Sequence, residues 1–134
     1  ENFNISSNDG ASSSIFSFGS YKKIHKEIKM TDIMKLKTSK LDTIIKQEQI
    51  DANKYNFWVV DLQGAELLAL KGASESIKAC KFMYIEISKE NIYKGGANWN
   101  ELNEFLDKNE FSPVWEPEEI HTDVLYIKRR NNID

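Results

Sequence analysis

A single cysteine, Cys80, in 134 residues excludes any disulfide within the chain. That suits a reducing compartment, so the expected location is cytoplasmic. Long apolar runs are missing as well. The longest hold about four residues, against the roughly 18 to 20 needed to cross a bilayer, and no charged-then-apolar leader opens the chain. The expectation is a soluble protein with no membrane partner. Neither sign of charge dominates: 21 acids face 18 bases for a net charge of −3, and 40% of residues are hydrophobic, an ordinary globular balance that calls for no nucleic acid. Between Tyr21 and Lys40, seven lysines meet two acids without a single arginine, which reads as a solvated face and not a phosphate-binding patch.

Several chemistries lack their residues. No Gly-x-x-x-x-Gly-Lys-[Ser/Thr] occurs, so the phosphate cradle of a P-loop enzyme is absent although an Asp-x-x-Gly is present. His25 and His121 lie far apart and Cys80 stands alone, so no chelating spacing exists and no metal is expected. No Gly-x-Ser-x-Gly elbow places a serine at a strand end. The length supports one domain, residues 1–134, with a core of moderate size. The chain begins with Glu1, not methionine, which suggests a fragment or a processed product.

What is present is organised around Phe57-Trp58-Val59-Val60-Asp61-Leu62-Gln63-Gly64-Ala65-Glu66. An unbroken apolar run of this length reads as a strand, Phe57 to Leu62, buried on both faces. It ends in a carboxylate, a glycine and a second carboxylate, where ligand sites of open α/β sheets form. A helix is expected from near Ala65, with Leu67, Leu68 and Leu70 followed by a break at Gly72 and with Ile77 continuing the buried face. A second apolar run, Phe82 to Ile87, also carries a carboxylate near its end, Glu86. Strand, helix and strand make a βαβ unit with parallel strands. Asp61 and Glu86 should therefore face one crevice.

The flanks read more simply. Phe3-Asn4-Ile5 closes a short strand, and Ser6 to Ser14 is a polar connector expected to be flexible. Met34-Lys35-Leu36-Lys37 alternates as an edge strand. Ser39 and Asp42 have the form of a capping box opening a helix that fades by about Asn53. Asn98 and Glu101 repeat that pattern before the stripe Trp99, Leu102, Phe105 and Leu106, a helix running to about Asn109. Phe111 to Glu116 and Val124 to Lys128 read as an antiparallel hairpin whose loop carries His121 and Asp123. The tail from Arg129 reads as frayed.

In combination these segments resemble the FkbM-type S-adenosylmethionine-dependent methyltransferases. Asn4 to Ser14 looks like that family's serine-rich segment, Thr38-Ser39-Lys40-Leu41-Asp42-Thr43-Ile44 like its Thr-x-x-Leu-Asp-x-[Leu/Ile] signature, and Asp61-Leu62-Gln63-Gly64-Ala65-Glu66-Leu67 with Leu70-Lys71-Gly72-Ala73 like its most specific motif. Tyr84-Ile85-Glu86, Tyr93-Lys94-Gly95 and Asp123-Val124-Leu125-Tyr126-Ile127 resemble the family's later segments, the last of them its final strand. The resemblance implies an α/β fold, the carboxyl-terminal part of a class I, Rossmann-like sheet with parallel central strands and a terminal antiparallel hairpin. It implies S-adenosylmethionine as cofactor, yet no Gly-x-Gly follows an apolar strand ahead of residue 57, so the cofactor loop of that fold is missing. The expected reaction is O-methylation of a hydroxyl on a small molecule or glycan, with these residues inactive alone.

Asp61 is the expected proton acceptor or hydroxyl positioner and stands beside the cofactor's methyl, with Glu86 as the alternative base. Gln63, Glu66, Tyr93, His121 and Asp123 would line the substrate side, although Glu66 equally suits a helix N-terminus and Asp61 the strand-to-helix turn. A non-catalytic remnant or interaction module of the same fold is the second class. Nothing in the sequence sets an oligomeric state.

Overall fold

The two acid-bearing apolar runs lie side by side and parallel in the computed structural model, which describes residues 1–130. Strand β1 spans Asn2–Ser6, helix α1 Tyr21–Ile24, strand β2 Met30–Lys35, helix α2 Leu41–Gln47 and strand β3 Phe57–Val60. Helix α3 comes next over Glu66–Lys71, then strand β4 over Phe82–Ser88, helix α4 over Trp99–Lys108, strand β5 over Phe111–Pro113 and strand β6 over His121–Lys128. Short 3-10 turns occupy Ala52–Lys54 and Ser76–Ala79. The result is a mixed α/β architecture: a four-stranded mixed sheet in the order β3-β4-β6-β5 and a separate antiparallel pair, β1 with β2. Only β3 and β4 are parallel, and β6 turns back against β4 and β5.

One face of the larger sheet carries the core. Alternation along the strands sends Val60, Met83, Ile85, Ile87, Val124 and Tyr126 to that face, where Leu70 of α3, Ile77, and Leu102 and Leu106 of α4 cover them. Helix α4 opens as its sequence predicts, with Asn98 Oδ1 accepting from Glu101 N at 3.0 Å and Glu101 Oε2 accepting from Asn98 N at 2.9 Å. The buried Tyr126 hydroxyl is satisfied within this layer, donating to Asn103 Oδ1 at 2.8 Å and accepting from Trp99 Nε1 at 3.2 Å.

The opposite face corrects the expectation that β3 is buried on both sides. Phe57 is 53% exposed and Val59 68% exposed, and they share that face with exposed Phe82, Tyr84 and Ile127. The reason is that Leu70 of α3, Ile77 and α4 all pack on the core face, while among the described residues no helix covers the other one.

Four further expectations change. Residues 6–14 form a hydrogen-bonded turn with Ser6, Ser12 and Ser14 buried, not a loose connector. Strand β2 begins at Met30 and ends at Lys35, earlier than expected, because its partner is β1, with Phe3 opposite Met34. Helix α2 stops at Gln47, and Lys40 precedes it without a side-chain cap. The tail from Arg129 is anchored at its start, where the guanidinium Nη1 donates to Asp107 Oδ1 at 2.6 Å; residues 131–134 lie outside the described ones.

Asp42, expected in a capping box, points across the fold instead. Its Oδ2 accepts from Glu75 N at 2.9 Å and its Oδ1 from Ser76 N at 2.9 Å and Ser76 Oγ at 2.7 Å. It caps the Ser76–Ala79 turn and ties α2 to the crossover between the parallel strands. Partial desolvation pushes its carboxyl up, but the Ser76, Glu75 and Ser74 donors outweigh it and hold it below the ordinary 3.8. Replacing Asp42 with Ala should therefore cost about 0.5 to 2 kcal/mol, as loss of a cap does. Because the folded carboxyl is depressed, the wild-type advantage is present above pH 3.8 and disappears as pH falls through the lower folded value. Denaturant melts of the two proteins at neutral pH and at pH 3 measure both effects.

Candidate active site

Strand β3 ends at Val60, and the chain then makes a tight turn into α3. Gln63 and Gly64 both take positive φ, 52° and 95°. Gln63 is strained there, since a side chain disfavours the left-handed region. Three groups hold the turn. The buried Glu66 carboxylate accepts through Oε1 from Leu62 N at 2.8 Å and Gly64 N at 3.1 Å. Ser14 Oγ donates to the Gln63 carbonyl at 2.7 Å. The Tyr93 ring lies on Gly64 so closely that a Cβ there would sit 2.8 Å from Tyr93 Cβ.

Tyr93 also fixes the Gln63 amide. Its hydroxyl donates to Gln63 Oε1 at 2.6 Å, which leaves Nε2 to donate to Asp61 Oδ1 at 2.6 Å. The ring belongs to a second apolar cluster with Phe18, Tyr21 and Ile92, in which Phe18 and Tyr21 stack at 4.3 Å between centroids. Ser12 Oγ and Tyr21 OH, 2.5 Å apart, continue the polar chain. The β1–β2 unit thus reaches the rim of the larger sheet through buried serines and aromatic rings. Burial, with nearby Tyr21, Glu86 and Glu66, pushes the Tyr93 hydroxyl far above its ordinary range, so it stays a donor.

On the neighbouring strand, Glu86 and Asp61 converge as expected. Oxygen atoms of Asp61, Glu66 and Glu86 lie within 4.8 Å of one another. Three carboxylates so close repel one another unless something offsets them. For Glu66, burial and then the charge of Glu86 push the carboxyl up, against the pull of the backbone N–H donors. For Glu86 the offset is His121, whose Nε2 stands 3.0 Å from Glu86 Oε1. That hydrogen bond raises the His121 pKa above its ordinary 6.5 although burial opposes it. The spacing of the three acids alone assigns no metal to them.

Of the residues expected to line the substrate side, Gln63, Glu66, Tyr93 and His121 thus join one set with Asp61 and Glu86. Asp123 lies opposite Glu86 in the β4–β6 register and is exposed. One correction concerns the loop: His121 and Asp123 sit in strand β6, not in the hairpin loop, because β6 extends to pair the whole of β4. Both are fixed to the sheet. Ser88 escaped the sequence reading. It accompanies Glu86 at a spacing of two, hence on one strand face, which was the available signal. Ser12 and Ser14 gave no local signal beyond the resemblance of their segment.

Gly64, Glu66, Glu86, Ser88, Tyr93 and His121 are among the residues lining a hollow of about 20 Å³ at these strand ends. That is room for one water. A wider hollow of about 750 Å³ lies elsewhere, beside Asp42, Ile50 and Lys78.

The family model described as Methyltransferase FkbM domain matches residues 1–113. The chain belongs to the FkbM methyltransferase domain family. No curated protein and no solved structure matches it. The match spans β1 to β5 and includes every site residue named above except His121 and Asp123. Membership in this FkbM family makes methyl transfer the activity to weigh against the geometry. No helix among the described residues is long and apolar enough to cross a membrane.

The contact of Tyr93 with Gly64 generates a direct expectation. Gly64→Ala combines a positive φ with a Cβ clash and should lower stability by about 1 to 3 kcal/mol. Gly10→Ala, where φ is 81° but the nearest atom is Ser13 Oγ at 3.5 Å, should lose less. Parallel thermal melts rank the two, and an equal loss would mean that the ring yields without cost.

Proposed function

We propose that these residues are the acceptor side of an S-adenosylmethionine-dependent O-methyltransferase, acting on a hydroxyl of a small molecule or glycan. The observation that carries this reading is the meeting of Asp61 and Glu86 at the carboxyl ends of parallel neighbours in a chain of the FkbM family. The domain is read as the carboxyl-terminal part of a Rossmann-like methyltransferase domain, with β3 and β4 central once the uncovered face and edge are filled.

The residues present do not build a cradle for the cofactor. The hollow beside Glu66 and Glu86 admits one water, and among the described residues no glycine-rich strand end faces it. When bound, the cofactor supplies an electrophilic methyl group on a cationic sulfonium, and an acidic rim is electrostatically suited to a cation. In this reading Asp61, which accepts from Gln63 Nε2, would accept a hydrogen bond from the acceptor hydroxyl and orient its oxygen. Glu86 stands across from it, engaged with His121. The small hollow equally favours the second reading, a non-catalytic remnant of the same fold.

Two measurements decide. Calorimetric titration of residues 1–134 with S-adenosylmethionine or its demethylated product should show negligible binding, and saturable low-micromolar binding would mean that another element replaces the glycine-rich loop. In protein that also carries such a loop, Asp61→Asn should keep the fold and lower turnover by about 10²-fold, the size expected when a reacting group is misplaced. Cofactor affinity should change far less. A lowered melting temperature with near-normal turnover would instead make Asp61 a structural residue of the turn.

A further inference from the structure

The sheet face opposite the core is made of rows that the strand register sets side by side. Phe57 of β3 stands opposite Phe82 of β4, and Phe82 opposite Ile127 of β6. In the next row Val59 stands opposite Tyr84, and Tyr84 opposite Leu125, whose carbonyl accepts from Val114 N at 2.8 Å. Phe57, Val59, Phe82, Tyr84, Val114 and Ile127 are all exposed. Charge brackets this apolar band. Past the second row come Asp61 and the opposed Glu86 and Asp123, of which Asp61 and Asp123 are exposed. At the other end, where β3 and β4 begin and β6 finishes, come exposed Lys54, Lys81 and Arg130. Among the described residues, Asp61, Asp123, Lys54, Lys81 and Arg130 join no ion pair. A face with acids at one end and bases at the other is complementary to itself. Its size can be gauged as well. A fully buried aromatic side chain hides about 150 to 250 Å², so the exposed parts of the apolar band come to on the order of 500 Å². Laid on its like, the band hides roughly 1,000 Å² in all, the lower bound for a specific interface.

We propose that this face is the interface of a weak homodimer, in which a second copy of the chain lies on it with its strands reversed. Two-fold symmetry can lay the face on itself in two ways. An axis along the strands would stack the acidic row of one copy on that of the other, and like charges facing each other oppose it. An axis across the strands, passing between the two apolar rows, lays each strand on its own counterpart running the other way. The Phe57 row then meets the second copy's Val59 row, in the near-aligned packing of two sheets about 10 Å apart. Each acidic row comes over the bases at the strand starts of the other copy, so that Asp61 faces Lys54 of the second copy and Asp123 faces its Arg130. Symmetry makes each contact twice. The second copy thus brings positive charge to the crowded acids of the candidate site, where Asp61 has only the Gln63 amide as partner. The outer edge of β3 stays free. The dimer forms whether or not the chain transfers a methyl group.

Sedimentation velocity of the 134-residue chain decides. Loaded from about 1 to about 300 μM, the range in which an interface of minimal size assembles, the chain should pass reversibly from monomer to dimer. Tyr84→Glu puts a charge in the middle of the band and should leave a monomer at every loading. Val59→Glu does the same and takes its place if Tyr84→Glu fails to fold. Leu68→Glu puts that charge on an exposed residue of α3, off the face, and should dimerise as the wild type does. Asp123→Arg and Arg130→Asp should each weaken the dimer about 3- to 10-fold at low salt. Combined in one chain they should restore it, because across the axis the exchanged charges meet again. A wild-type chain that stays monomeric at the highest loading overturns the dimer, and so does a dimer indifferent to Tyr84→Glu and Val59→Glu. A combined variant no better than its two parents overturns the reversed-strand arrangement. Assemblies that keep growing with concentration overturn it too, since a two-fold contact closes at two copies.

Discussion

The rim of this domain depends on one buried carboxylate. Glu66 turns back to accept the backbone N–H groups of Leu62 and Gly64, and so closes the path from β3 into α3. Without those bonds two donors at the strand end would be unsatisfied, at about 1 to 3 kcal/mol each if kept from water. The same turn puts Gln63 and Gly64 in the left-handed region and aims Asp61 and Gln63 toward the neighbouring strand. Strain at Gln63 is tolerated because its carbonyl, side-chain oxygen and side-chain nitrogen are each engaged, by Ser14, Tyr93 and Asp61.

That arrangement has an electrostatic consequence. Glu66 must be near the strand end to serve the turn, and Glu86 arrives there because β4 runs parallel to β3. With Asp61, three acids share one small region, and the fold answers with different environments for each. Glu66 is buried on backbone donors, Glu86 is paired with His121, and Asp61 is exposed with a single amide partner. Groups of one chemical type are thereby made unequal, which is how neighbouring carboxylates come to play separate parts.

The larger sheet is finished on one side only. Its inner face is packed by α3, the Ser76–Ala79 turn and α4, whereas Phe57, Val59, Phe82, Tyr84 and Ile127 remain exposed on the other. Burial of an apolar side chain is worth about 1.5 to 3 kcal/mol, and sheets with parallel central strands are covered on both faces in complete α/β domains. Among the described residues, the exposed row and the outer edge of β3 are left open to solvent.

The sequence by itself determined the elements whose signals are local. Alternation and apolar runs marked β3 and β4, the Asn98–Glu101 pair marked the start of α4, and the FkbM motifs marked the Asp61–Glu66 turn. These are legible because a strand period or a cap is written within a few residues. Tertiary structure alone decided the rest. Asp42 has the spacing of a cap for its own helix, yet its oxygens serve Glu75 and Ser76, more than 30 residues away. Nothing near Ser12 or Ser14 announces that they are buried beneath Tyr21 and Gln63. His121 has the sequence surroundings of a loop, and only its pairing with Ser88 across two antiparallel strands fixes it in β6 beside Glu86. In each case the partner lies far along the chain, and a polar side chain's role is set by which distant donor or acceptor the packed fold brings to it.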